Sequence, residues 1–250
     1  MKVLAVYSIK GGVGKTATAV NLAHAAADAG LRTLLVDLDS QAAASFYFRV
    51  RPRKKKAGAA ALLDSHERVR RAIRGTDFEG LDILPAHRSF RKLERLLDAY
   101  RKPRSRLAKL LEPQRRDYDL VVIDCTPTLN LTAEAVFRAA DLVAVPVIPT
   151  TLSARTLQML LDFFKQHDLD RKRLLAFFSM LDRRKALHRQ LLEELPAASK
   201  ARFCQTVIPV SSDIERMGLE REPVACFARR SAGAVAVDAL WREIRERLEI

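Results

Sequence analysis

Seven consecutive residues, Lys10-Gly11-Gly12-Val13-Gly14-Lys15-Thr16, carry the most specific chemistry in this chain. An apolar run at 3–9 precedes them and an alanine-rich, helix-forming stretch follows from Ala17, so the order reads strand, glycine loop, helix. Gly11, Gly12 and Gly14 lack side chains and let successive backbone N–H groups point at phosphate oxygens. The start of the following helix adds its positive dipole end at the same place. In that geometry Lys15 bridges the β- and γ-phosphates and the Thr16 hydroxyl reaches Mg²⁺. Two further stretches end in carboxylates: 32–39 reads as a buried strand closing on Asp37 and Asp39, and 119–124 as an apolar strand closing on Asp124. Ligands of open α/β sheets collect at the carboxyl ends of strands, so these aspartates are expected beside the cation and the terminal phosphate. Asp124 would hold Mg²⁺ through its water shell. Capping of the next segment is the alternative role for an aspartate here, for Asp37 above all.

Such groups need a sheet to align them, and the rest of the chain supplies its pattern. A helix is expected over 59–74, a short strand over 81–86, a helix over 89–100 with a basic and an apolar face, and a break at Pro113. Helix 131–140, strand 141–147, a helix capped by Ser153 and running to 164, and strand 174–180 follow. A last strand at 207–212 and a closing helix over 235–248 end the pattern. Strands alternating with helices imply an α/β fold with a doubly wound, mostly parallel sheet flanked by helices. A length of 250 residues with 48% hydrophobic residues suits a single domain over 1–250.

Composition excludes several classes. No apolar run approaches the roughly 20 residues that a membrane span needs, and the chain opens without a signal-peptide pattern, which points to the cytoplasm. Cys125, Cys204 and Cys226 lack C-x-x-C spacing, so neither a disulfide framework nor a zinc site is indicated, and all three are expected as buried small hydrophobes. His24 and His188 stand in no catalytic constellation. The formal charge of +14 is concentrated: residues 49–116 hold 21 basic and 8 acidic side chains. That balance favours a polyanion such as the DNA phosphate backbone or RNA, with binding that weakens as salt rises; solvated helix faces are the alternative.

The glycine loop departs from the strict P-loop pattern, because Ile9 stands where the first glycine belongs and Lys10 adds a second lysine. In this form it resembles the deviant Walker A loop of the ParA/MinD family of partition and positioning ATPases. Asp37-Leu38-Asp39-Ser40-Gln41 resembles that family's switch I motif, D-x-D-P-Q, with Ser40 replacing Pro and Ala42 standing where Gly is frequent. Asp124-Cys125-Thr126-Pro127 resembles the D-x-P-P of switch II, with Thr126 replacing the first Pro, and Leu81-Asp82-Ile83-Leu84-Pro85-Ala86 resembles its L-D-x-I-P-A strand.

The resemblance implies a P-loop NTPase of the deviant Walker A type with ATP and Mg²⁺ as cofactors. Nucleotide contacts would come from Lys10, Gly11, Gly12, Val13, Gly14, Lys15, Thr16 and Ala17, with Asp182 and Pro209 beside the base; for Asp182 an ordinary surface salt bridge is the alternative. Lys10, Lys15 and Asp39 would be the catalytic set, Lys10 reaching a partner protomer's phosphates and Asp39 placing the attacking water. Thr16, Asp39 and Asp124 would face the metal. The implied partners are a second copy of the chain in an ATP-dependent homodimer, non-specific DNA, and a ParB-like or cargo-linked activator, which places the protein on the nucleoid. DNA-binding candidates are Arg53, Lys54, Lys55 and Lys56, together with Arg229 and Arg230.

Two alternatives remain. A MinD-like membrane-cycling ATPase would use the closing helix, whose stripe of Val237, Leu240, Trp241, Ile244 and Leu248 lies opposite mixed charges that favour packing on a core instead. A non-hydrolysing, ATP-dependent dimeric scaffold is the other, motivated by Ser40 and Thr126.

Overall fold

Runs such as Leu120-Val121-Val122-Ile123 have no polar face to turn to water and are stable only with helices on both sides. The computed structural model describes residues 1–52 and 58–250 and places these runs at the centre of one eight-stranded sheet. Its strands are β1 (Lys2–Val6), β2 (Thr33–Asp37), β3 (Arg74–Gly75), β4 (Leu81–Leu84), β5 (Leu120–Asp124), β6 (Leu142–Val147), β7 (Leu174–Leu181) and β8 (Phe203–Pro209). They lie in the order β3-β4-β2-β5-β1-β6-β7-β8. All neighbours are parallel except β3 on β4, a short antiparallel edge.

The helices are α1 (Lys15–Asp28), α2 (Ala43–Tyr47), α3 (Ala59–Asp64), α4 (His66–Ala72), α5 (Leu93–Asp98), α6 (Arg106–Leu111), α7 (Leu131–Ala139), α8 (Thr151–Gln166), α9 (Ala186–Ser199), α10 (Ser212–Glu220), α11 (Val224–Phe227) and α12 (Ala232–Leu248). Two buried clusters divide them between the faces of the sheet. One joins Leu4, Val6 and Val122 to Val20 and Leu22 of α1 and to Leu240, Trp241 and Ile244 of α12. The other joins Ala5, Val121 and Ile123 to Leu63, Leu97, Leu111, Phe137 and Phe164 of the α3–α8 side. The apolar stripe of α12 is thus buried in the core: Leu240, Trp241, Ile244 and Leu248 are each at most 3% exposed. Among the described residues no helix is long and apolar enough to cross a membrane.

From β1 the chain winds outward through β2 and β4, returns to insert β5, and then continues on the other side through β6, β7 and β8. The carboxyl ends of β1, β5 and β6 therefore flank the crevice at which the winding reverses, where ligands of such sheets bind.

Several local expectations are corrected. The stretch 59–74 is two helices, because Ser65 is extended at φ −147° and ψ 129°, and Arg74 belongs to β3. Residues 89–100 open as a 3₁₀ turn, Arg88–Lys92, with the His87 ring accepting from the Ser89 N–H, before α5 begins. β1 stops at Val6, and the last strand, expected with its loop over 207–212, starts earlier, at Phe203, with α10 following from Ser212. Helices α9 and α10 were not expected. Cys125 and Cys204 are buried, but Cys226 is exposed, its Sγ 3.4 Å from His24 Nε2.

Candidate functional site

β1 carries the chain to Val6, and the loop that follows turns back on left-handed glycines, Gly12 at φ 72° and Gly14 at φ 88°. A side chain at Gly14 would be strained by that φ and would meet Ser179 Oγ at 3.3 Å. Gly14 is also the N-cap of α1 and offers no side-chain oxygen, so the first backbone N–H groups of α1 are left for a ligand in the loop. Lys15, only 8% exposed, reaches back over the loop, its Nζ donating to the Lys10 carbonyl at 3.0 Å. Burial pulls the Lys15 ammonium below its usual pKa, while the Asp124, Cys125 and Asp39 charges act in the opposite sense. Lys10 is half-buried at the rim, with Nζ 3.4 Å from Ser153 Oγ at the start of α8.

Asp37 and Asp124 end adjacent parallel strands and are register partners. Both are fully buried. Their surroundings differ. The Asp37 carboxylate accepts from the Ser45 N–H at 2.9 Å, the Ser45 hydroxyl at 2.7 Å and the Asp39 N–H at 3.2 Å. Burial still pushes its pKa up, to about 6. Among the described residues neither oxygen of Asp124 has a hydrogen-bond partner, and burial, followed by the Asp37 charge, pushes its pKa up to about 8. Asp39 is half-buried just beyond β2; its Oδ1 accepts from the Gln41 N–H at 3.0 Å, and its carbonyl accepts from the Ala42 N–H at 2.8 Å. Ala42 itself stands at φ 58°.

This donor set suits a magnesium nucleotide. A buried, unpartnered carboxylate is costly unless a positive charge joins it. Among the described residues no cluster of three or more acidic, His or Cys ligands exists. Mg²⁺ is held by one or two protein oxygens together with substrate phosphates and water. Asp124 and the Thr16 hydroxyl are the groups that would hold it.

On the other side of the loop lies a largely apolar cavity of about 130 Å³ whose lining includes Gly14, Ala17, Thr18, Met180, Pro209 and Ile214. Its size, walls and place beside the phosphate loop suit a nucleobase. Pro209 and Ala17 line the cavity, whereas Asp182 does not. The Asp182 carboxylate instead accepts from Arg184 Nε at 2.9 Å, and Arg184 holds its pKa down at about 2. The surface salt-bridge reading is the one that the geometry favours. Sequence reasoning missed the contribution of α10. Its signal was present: Ser211 accepts from the Ile214 N–H as an N-cap, and Asp213 and Glu215 occupy the first turn.

Arg229 and Arg230 are exposed between α11 and α12, Arg229 lying 3.9 Å from Asp28. Arg53, Lys54, Lys55 and Lys56 lie outside the described residues.

Comparison with known proteins agrees with this geometry. A family model described as an AAA domain matches residues 1–176. The sporulation initiation inhibitor protein Soj of Bacillus subtilis is 30% identical over 97% of this chain and 98% of its own. The chromosome partitioning protein ParA of Caulobacter vibrioides is 30% identical over 99% of this chain and 95% of its own. Among solved structures, cobyrinic acid a,c-diamide synthase from Mycobacterium smegmatis with bound ADP and magnesium superposes with a TM-score of 0.82 at 27% identity, covering 98% of this chain and 95% of that one.

Proposed function

The chain belongs to the ParA/MinD family of P-loop ATPases, and from that premise we propose that it is an ATP-driven switch that segregates or positions DNA or a protein cargo. It binds ATP·Mg²⁺, pairs with a second copy, binds DNA without sequence preference in that state, and releases it on slow hydrolysis stimulated by a ParB-like or cargo-linked activator.

The observation that carries the nucleotide half of this reading is the juxtaposition of a left-handed glycine loop, a buried Lys15 and the unpartnered Asp124 carboxylate at one sheet edge. Backbone N–H groups of the loop and of the start of α1 bind the phosphates. Lys15 neutralises charge that develops on the transferring phosphoryl group, and Lys10, from the rim, does the same across the pair of protomers. When bound, Mg²⁺ polarises the phosphate oxygens and draws off negative charge. Asp39 holds the attacking water, its carboxylate steadied by the Gln41 N–H. Thr18 and Pro209 bound the base cavity. The buried α12 stripe disfavours the membrane-cycling alternative, since no free apolar face is left for lipid.

The test is nucleotide binding and phosphate release in parallel. Lys15→Ala loses ATP binding, and normal affinity in that variant removes the phosphate-loop assignment. Asp39→Ala keeps ATP binding but loses turnover; wild-type turnover there removes Asp39 from its role and leaves binding intact.

A further inference from the structure

Residues 88–116 hold eleven basic and three acidic side chains, and the structure gathers part of this excess into one place. Tyr100, Arg101, Lys102, Arg106 and Lys109 line an open concavity of about 290 Å³ between the end of α5 and α6. Two of the five, Tyr100 and Arg106, are half-buried. Arg106 lies 4.6 Å over the Tyr100 ring and donates through Nε to the Leu63 carbonyl at 2.7 Å, and the Tyr100 hydroxyl donates to Asp64. The other three, Arg101, Lys102 and Lys109, are exposed and have no carboxylate within ion-pair distance among the described residues.

The segment that carries the concavity is tied to α7. Arg104, beside Lys102, is 2.8 Å from the carboxylate of Glu134, whose side chain on α7 is 3% exposed. Glu94 of α5 accepts from Asn130 Nδ2 at 2.9 Å and from the Leu131 N–H at 3.3 Å, where α7 begins.

We infer that this concavity is a docking site for the phosphodiester backbone of duplex DNA. It lies on the sheet face opposite Arg229 and Arg230, since α5 and α6 pack with α7 on one buried cluster and α11 and α12 on the other. The inference rests on the DNA-binding reading above and adds where the strand sits. Three unpaired cations around a concavity supply phosphate contacts that position a duplex without reading its sequence. An anionic membrane is another polyanionic surface in a cell, but no large hydrophobic side chain is exposed within 88–116, and interfacial binding needs apolar insertion as well as charge.

The experiment measures binding of the full chain to a short duplex of arbitrary sequence, with ATP·Mg²⁺ and with ADP, across a salt series. The variants are Arg101→Glu/Lys102→Glu/Lys109→Glu, the conservative Lys102→Arg/Lys109→Arg, and Arg229→Glu/Arg230→Glu. The triple reversal is expected to weaken binding at least about tenfold and to flatten the slope of log affinity against log salt by about 3, one for each lost phosphate contact. The conservative variant retains wild-type binding. Equal nucleotide affinity and thermal midpoint in all variants show that the fold is intact. Wild-type DNA affinity in the triple variant, with loss only in the Arg229/Arg230 variant, overturns the inference and leaves DNA binding standing. Wild-type protein that binds anionic vesicles and no DNA overturns both.

Discussion

Asp37 and Asp124 face each other in register at the ends of adjacent parallel strands, yet only Asp37 has its carboxylate hydrogen-bonded. One is a structural brace that ties β2 to α2 through Ser45, and Ser45 Oγ in turn accepts from the Ala86 N–H at 3.0 Å beyond β4. The other is an unsatisfied acceptor waiting for a cation.

Opposite responses to the same substitution follow from that difference. Asp37→Asn loses charge-assisted bonds to Ser45 and is expected to lower stability by about 1–3 kcal/mol. Asp124→Asn replaces a buried carboxyl that has no hydrogen-bond partner among the described residues, so the apoprotein keeps its stability, but the stabilisation conferred by ATP·Mg²⁺ falls. Thermal unfolding with and without nucleotide separates the two; equal loss of apoprotein stability in both contradicts the division of roles.

Ala42, at φ 58°, sits in the switch loop in a backbone region that costs a residue with a Cβ about 1–2 kcal/mol. Ala42→Gly relieves this strain against a comparable cost in unfolded-chain entropy, so stability changes by less than about 1 kcal/mol in either direction. Ala42→Val cannot adopt this conformation without more strain and is expected to be clearly destabilising. Denaturant midpoints for the pair decide it; a fully tolerated valine would contradict the loop conformation.

Glu134 is a buried carboxylate held by Arg104 and Arg138, each at 2.8 Å, with His167 Nδ1 at 3.3 Å. Burial acts to raise its pKa, but the hydrogen bonds from Arg138 and Arg104 outweigh burial and hold it below its ordinary value of 4.5. A depressed carboxylate pKa contributes stability that is full above 4.5 and is lost as pH falls through the lower, folded value. Glu134→Gln is therefore expected to cost on the order of 1–2 kcal/mol at neutral pH, discounted because the guanidinium groups stay partly exposed. The difference from wild type shrinks in acid. A difference that is constant with pH would show that packing, not charge, is lost.

The features legible in the sequence were those whose cause is local. Gly12 and Gly14 announce a left-handed loop, and the apolar runs ending in Asp37 and Asp124 can only be buried parallel strands. What escaped depends on contacts distant in sequence. The pairing of Asp37 with Ser45 decides which aspartate is left free, and no periodicity encodes it. Ser65 interrupts an otherwise continuous helical pattern. Asp182 was assigned to the base by resemblance, but Arg184, two residues on, captures it.

The central claim is that ATP gates DNA binding through Lys10, whose Nζ in the single chain lies 3.4 Å from Ser153 Oγ. The most direct measurement is affinity for a non-specific duplex at physiological salt, with ATP and then ADP, for wild type and Lys10→Ala. Tight binding by the wild type with ATP alone, lost in Lys10→Ala, is the predicted result. Equal binding with both nucleotides, or an unaffected Lys10→Ala variant, would contradict it.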